Sequence, residues 1–96
     1  MPIISLTSAE RAHLKARAHT LEPVVRVGHG GLTDRLLAEV DRALTAHELI
    51  KVRIDEPDRH ARAALGEALC ASANAAAVHR VGKVLIVWRP RPEQPE

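Results

Sequence analysis

Seven segments in the order αβαβαββ, read from 96 residues, predict an α/β fold: a single domain with three helices packed on a four-stranded mixed sheet. Three observations carry that expectation. Apolar residues at helical spacing alternate with short β-branched runs. Residues that cap helices stand in front of each helical stretch. A Gly82-Lys83 pair joins the last two apolar runs, as a two-residue hairpin loop does.

Thr7-Ser8-Ala9-Glu10 has the pattern of a capping box, a hydroxyl at the N-cap with a glutamate three residues on. It predicts a first helix from about Ser8 to Thr20, with Leu14, Ala18 and Leu21 on its apolar side. Glu22-Pro23 stops it, because the residue before proline is pushed out of the α region. Val24 to Val27 reads as a strand that runs into Gly28-His29-Gly30-Gly31. Thr33 then caps a second helix whose stripe is Leu36, Leu37, Val40 and Leu44. From Glu48 to Asp55, Ile50, Val52 and Ile54 alternate with Lys51, Arg53 and Asp55, the mark of a strand with one buried and one polar face. Asp58 is placed to cap a third helix, about Arg59 to Ala73, with Ala61, Leu65, Ala68 and Leu69 facing inward. Ala77 to Val81 and Val84 to Trp88 complete the set as strands, and the latter, apolar on both faces, is expected at the centre of the sheet. The domain is expected over residues 1–90. The residues from 91 to 96 continue a proline-rich run and are expected to form a mobile tail.

Composition narrows the function classes. The longest purely apolar run, Val84 to Trp88, falls far short of the roughly 20 residues that span a bilayer. The segment Met1 to Ser5 has neither a basic start nor a long apolar core, so a secretory signal is not expected and the cytoplasm is the expected location. The lone cysteine, Cys70, sits at a helical position among alanines and reads as a small core residue. The six histidines form no i,i+4 pair with one another and no cluster with Cys70, so no metal site is expected. No serine, cysteine or carboxylate pair is arranged for nucleophilic or acid–base chemistry, and an enzyme is not expected. Net charge is only +2, yet eleven of the fourteen basic residues are arginine, which forks onto phosphate. A binding face for an anionic partner would have to be local.

The stretch Val24 to Asp34 is where such a face is expected. Glycines between a strand and a helix N-terminus leave backbone N–H groups pointing outward with the helix dipole behind them, a seat for phosphate. The glycines alone leave a second reading open, a bare strand-to-helix turn. Arg26 and His29 flank the turn, Arg35 lies in the first turn of the helix, and Lys51 and Arg53 occupy the polar face of the second strand. If the two strands are neighbours, these residues make one positive surface beside the loop. Trp88 is the only aromatic residue, whereas base-stacking sheets use two or three. Backbone recognition, with little base readout, is the mode left open.

Four segments resemble the YhbY-type, or CRM-domain, RNA-binding proteins. They are Leu6-Thr7 with Glu10-Arg11 and Leu14; His19 to Thr33; Ala43-Leu44 with His47-Glu48-Leu49-Ile50-Lys51-Val52; and Gly82 to Val87 with Arg89-Pro90. The resemblance spans about residues 5 to 90. It implies a small α/β domain like the C-terminal domain of bacterial translation initiation factor 3, with a GxxG loop at Gly28-His29-Gly30-Gly31. It also implies association with precursors of the large ribosomal subunit. The expected RNA-binding residues are Gly28, His29, Gly30, Gly31, Arg26, Arg35, Lys51 and Arg53. The expected partner is large-subunit ribosomal RNA or its precursor, bound by a monomer with no cofactor, metal or membrane. The alternative is a protein-interaction module that docks on a ribosomal protein or assembly factor. Glu22 and His29 depart from the family, which commonly has lysine at both places. Neutral histidine donates one hydrogen bond but supplies little charge at pH 7. Lower or more pH-dependent phosphate affinity is therefore expected.

Overall fold

A computed structural model describes residues 6–90; both terminal segments, including the expected tail at 91–96, lie outside the described residues. The elements are α1 (Ser8–Ala18), β1 (Pro23–Val27), α2 (Asp34–His47), β2 (Leu49–Ile54), α3 (Arg59–Ala73), β3 (Ala76–Val81) and β4 (Val84–Trp88). Their order is the one the sequence predicts. The strands form one sheet ordered β1-β2-β4-β3, in which β1 and β2 are parallel and the other pairings are antiparallel.

Capping decides where the helices start. The Thr7 hydroxyl accepts from the Glu10 N–H at 3.1 Å, while the Glu10 carboxylate accepts from the Thr7 N–H at 2.9 Å. Those bonds hold the Glu10 carboxyl below its ordinary range. Thr33 caps α2 through the Leu36 N–H at 3.1 Å, and Asp58 caps α3 through the Ala61 N–H at 2.8 Å. Helix α1 ends at Ala18, two residues before the expected Thr20. Its last turn tightens through His19 N–H to Ala16 O and Leu21 N–H to Ala18 O, both i to i−3 bonds. Leu21 is therefore outside the helix and exposed.

The sheet has two unequal covers. Helices α2 and α3 pack on one face, where Val25, Val27, Ile50, Val52, Ile54, Leu85 and Val87 meet Leu36, Val40, Leu44 and Leu69. Among the described residues, the opposite face receives only α1, whose Leu14 and Ala18 pack on Leu49, Val78 and Ile86, with Trp88 partly buried at the margin. Strand β4 is central and buried on both faces, as expected. The inward face of α3 differs from expectation: Gly66, Leu69, Cys70 and Ala73 are buried, while Ala61 is only half-buried and Ala68 is exposed. Alanine is indifferent to burial, so an alanine-rich helix gives a weak stripe. Cys70 is a core residue, and burial pushes its thiol up to about 11.

The hairpin between β3 and β4 is the two-residue turn expected. Gly82 has φ +57 while Lys83 stays out of the left-handed region, which makes it a type II′ turn with Val81 opposite Val84. A single residue, Glu48, joins α2 to β2, and its φ is +63. Arg89 closes the end of β4. Its guanidinium donates to Asp41 Oδ1 at 2.8 Å, Ala73 O at 2.9 Å, Thr45 Oγ1 at 3.0 Å and Asp41 O at 3.1 Å.

Candidate nucleic-acid interface

The loop between β1 and α2 is built by two short-range bonds. Gly31 N–H donates to Gly28 O at 3.1 Å, and Thr33 N–H donates to Gly31 O at 3.2 Å. Only Gly31 needs to be glycine for conformation, with φ +68; Gly28 and Gly30 have ordinary φ. A Cβ on Gly28 would meet nothing, and one on Gly30 would lie 3.7 Å from Thr33 Cγ2. What the other two glycines provide is bare, exposed backbone. Among the described residues, the N–H groups of His29 and Gly30 meet no protein acceptor. The side chain of His29 is exposed, and Asp34 opens α2 with a carboxylate that competes for the positive end of the helix dipole.

Strands β1 and β2 are neighbours, so the condition for one basic surface is met. Arg26 pairs in register with Arg53, and Lys51 with Pro23. These side chains alternate with the buried set Val25, Val27, Ile50, Val52 and Ile54, which places Arg26, Lys51 and Arg53 on the face that carries α1. Arg35 belongs to α2, on the other side of the sheet, and does not join that cluster.

The surface is less positive than its arginines suggest. Asp55, the residue after β2, is held by both Arg26 and Arg53, the latter at 2.7 Å. The Arg53 and Arg26 hydrogen bonds hold its carboxyl below the ordinary range. Asp55 N–H also donates to Val27 O at 2.9 Å, which fixes the carboxylate where the two strands end. Three charges thus sum to +1. The Asp55 side chain is 16% exposed, while Arg26 and Arg53 are 72% and 47% exposed, so the cations still face solvent. Lys51 Nζ donates to Leu21 O at 2.9 Å.

Sequence reasoning missed Asp55, because pairing it with Arg26 requires knowing that β1 and β2 are parallel and in this register. It also missed that His79 and Val81 of β3 extend the same face. They sit opposite Ile86 and Val84 of β4, which in turn sit opposite Lys51 and Arg53. Among the described residues, no group of three or more His, Cys, Asp or Glu side chains is placed to hold a metal ion. No helix among them is long and apolar enough to cross a membrane.

Comparison with known proteins identifies the family. The family described as the CRS1 / YhbY (CRM) domain matches residues 6–89. A Haemophilus influenzae protein named as an RNA-binding protein is 39% identical over 89 residues, covering 93% of this chain and 90% of its own. A Pseudomonas aeruginosa protein whose name is "Probable RNA-binding protein" is 40% identical over 90 residues, covering 94% and 86%. Among solved structures, a Staphylococcus aureus protein described as a candidate RNA-binding protein superposes with a TM-score of 0.82 at 25% identity, covering 95% of both chains. Family match and relatives extend over nearly the whole domain, loop and basic strands included: the chain belongs to the CRS1 / YhbY (CRM) domain family.

Proposed function

We propose that the chain is an RNA-binding module that acts in assembly of the large ribosomal subunit, in the cytoplasm and as a monomer, without catalysing a reaction. The observation that carries this is the pair of exposed, unpartnered N–H groups at His29 and Gly30, set before the N-terminus of α2 and beside the Arg26–Arg53 pair. Amides and guanidinium groups in that arrangement suit phosphate oxygens. Gly28, Gly30 and Gly31 let an RNA backbone approach, Arg26, Lys51 and Arg53 supply charge, and His29 and Arg35 extend the contact on either side of the loop. RNA-binding names among the relatives support the partner class, and the family resemblance supports the ribosomal setting.

Gly30→Asp tests the loop. The added Cβ makes an ordinary contact with Thr33, so the fold is expected to survive while a carboxylate stands where phosphate would sit. Circular dichroism unchanged from wild type, with single-stranded RNA affinity reduced at least about tenfold, is the expected result. Unchanged affinity in a folded variant overturns the loop assignment. Crosslinking in cells then tests the setting: recovered RNA enriched at one region of large-subunit ribosomal RNA supports it, and scattered crosslinks refute it.

A further inference from the structure

Among the described residues, helix α1 covers only part of its sheet face, and what it leaves open is sorted by chemistry. Two rows run across the strands there. The first is Pro23, Lys51, Ile86 and His79, of which Ile86 is buried beneath α1; the second is Arg26, Arg53, Val84 and Val81. In each row the β1–β2 half carries the cations and the β4–β3 half carries apolar or imidazole side chains. The exposed C-terminal end of α1 adds Lys15 and His19 as a wall, and between wall and sheet lies a groove of about 360 Å3. Val81, in the groove, is 59% exposed, an unusual position for a branched apolar side chain at the tip of a strand. Among the described residues, each ionisable residue lining the groove is a lysine or histidine, and none is acidic.

We propose that this groove is a nucleotide subsite, which takes one unpaired base of the bound RNA. The inference rests on the RNA-binding function proposed above and goes beyond it, since that function needs only backbone contacts. The occupant must carry negative charge at one end and a flat apolar body at the other. A nucleotide does so: its phosphates meet Lys51, Lys15 and the Arg53 end of the second row, and its base lies over Val84 and Val81, with the buried Ile86 at the groove's floor. His79 and His19 edge the base, and imidazole is among the rings on which unstacked bases pack. The size agrees, because small-ligand clefts begin at roughly 300 Å3. Lys51 and Arg53 lie on one face about 6.6 Å apart along β2, at about 3.3 Å per residue. That spacing lets the strand carry successive phosphates from the groove toward the loop. Two other hollows among the described residues do not combine these features. The one between α1, β1 and the end of α2 includes Glu22, and the one along the β3 edge includes Glu67.

The groove predicts a preference that a backbone-only interface would not have. Single-stranded RNA of mixed sequence and a perfect duplex of equal length are titrated against the full chain, wild type, Val81→Glu and Lys15→Ala, with circular dichroism as the fold control. Both substitutions fall at exposed positions, so folding is expected to persist. Val81→Glu is expected to weaken single-strand binding about tenfold or more while changing duplex binding less than about twofold, and Lys15→Ala to act in the same direction more weakly. Adenosine monophosphate, added alone, should shift the amide resonances of His79, Val81 and Val84. Equal loss for single strand and duplex overturns the subsite, as does single-strand binding unaffected by either variant. Wild type that binds neither RNA refutes the RNA-binding function itself, a different failure. Gly30→Asp separates them further, because it should weaken both RNAs whether or not the groove is used.

Discussion

Replacing Asp55 by asparagine should make this protein a tighter RNA binder. The carboxylate accepts hydrogen bonds from two arginines on adjacent strands, so Arg26, Arg53 and Asp55 together carry +1. The substitution leaves two guanidinium groups without a counter-charge at the same place and raises the chain from +2 to +3, fourteen bases against eleven acids. On single strands each added phosphate contact steepens the log–log salt slope by about 0.7. At about 0.1 M salt that amounts to 0.7 log unit, about fivefold in affinity per contact and about 25-fold if both arginines engage. Fluorescence anisotropy of a labelled single strand, titrated from about 50 to about 300 mM potassium chloride, reads both quantities. A folded variant with the wild-type slope and no gain in affinity would show that Arg26 and Arg53 do not touch RNA. The same variant has a stability readout whose sign is fixed. Asp55 titrates lower in the folded protein than the unfolded value of about 3.9. Its stabilising contribution is therefore complete above that value and lost as pH falls through the folded one. Wild type should melt above Asp55→Asn at neutral pH, and the gap should close below about pH 4.

Two further predictions concern the frame. Arg89→Ala removes four guanidinium hydrogen bonds that tie the end of β4 to α2 and α3, and should cost about 2–3 kcal/mol, a fall of about 10–20 °C in Tm by thermal denaturation. Arg89→Lys, with one point charge in place of a fork, should fall between; a Tm within about 3 °C of wild type for Arg89→Ala would refute the clamp. Gly31→Ala forces a side chain into φ +68 and should cost about 1–2 kcal/mol, whereas Gly30→Ala meets only an ordinary contact and should leave stability unchanged or raise it by about 0.5 kcal/mol. Equal melting temperatures for the two variants would contradict the loop conformation.

Local signals were enough for the order of elements. Thr7 with Glu10, Thr33 and Asp58 each announce a helix by chemistry that acts within four residues, and Gly82-Lys83 announces a turn in the same way. The alternation of Ile50, Val52 and Ile54 with Lys51 and Arg53 sorted β2 into a buried and a polar side for the same reason. Leu49 shows where that logic stops: it lies on the polar side and is nonetheless buried, because α1 happens to cover that end of the sheet. Within α3 the choice among alanines could not be made from pattern, since a methyl group gains little from either environment. The sequence names candidate site residues one by one but not the electrostatic unit that the strands make of them. Asp55 follows β2 in sequence, yet its effect on Arg26, 29 residues away, exists only through the parallel pairing of two strands. Likewise Lys15, His19, His79 and Val81 come from α1 and β3, and nothing short of the sheet order brings them to one groove.

The uneven covering of the sheet has a consequence for how the molecule breathes. Helix α1 is anchored by Leu14 and Ala18, by its cap, and by Arg11, which donates to Ala77 O at 2.7 Å and Val78 O at 2.8 Å. The opposite layer is a two-helix slab with most of the buried aliphatic side chains. Opening free energies should follow that division, so α1 amides exchange with solvent well before those of α2 or β4. Whatever occupies the wall formed by Lys15 and His19 would then be read out as slowed exchange in α1. The least firmly held helix becomes the natural reporter of what its own face has bound.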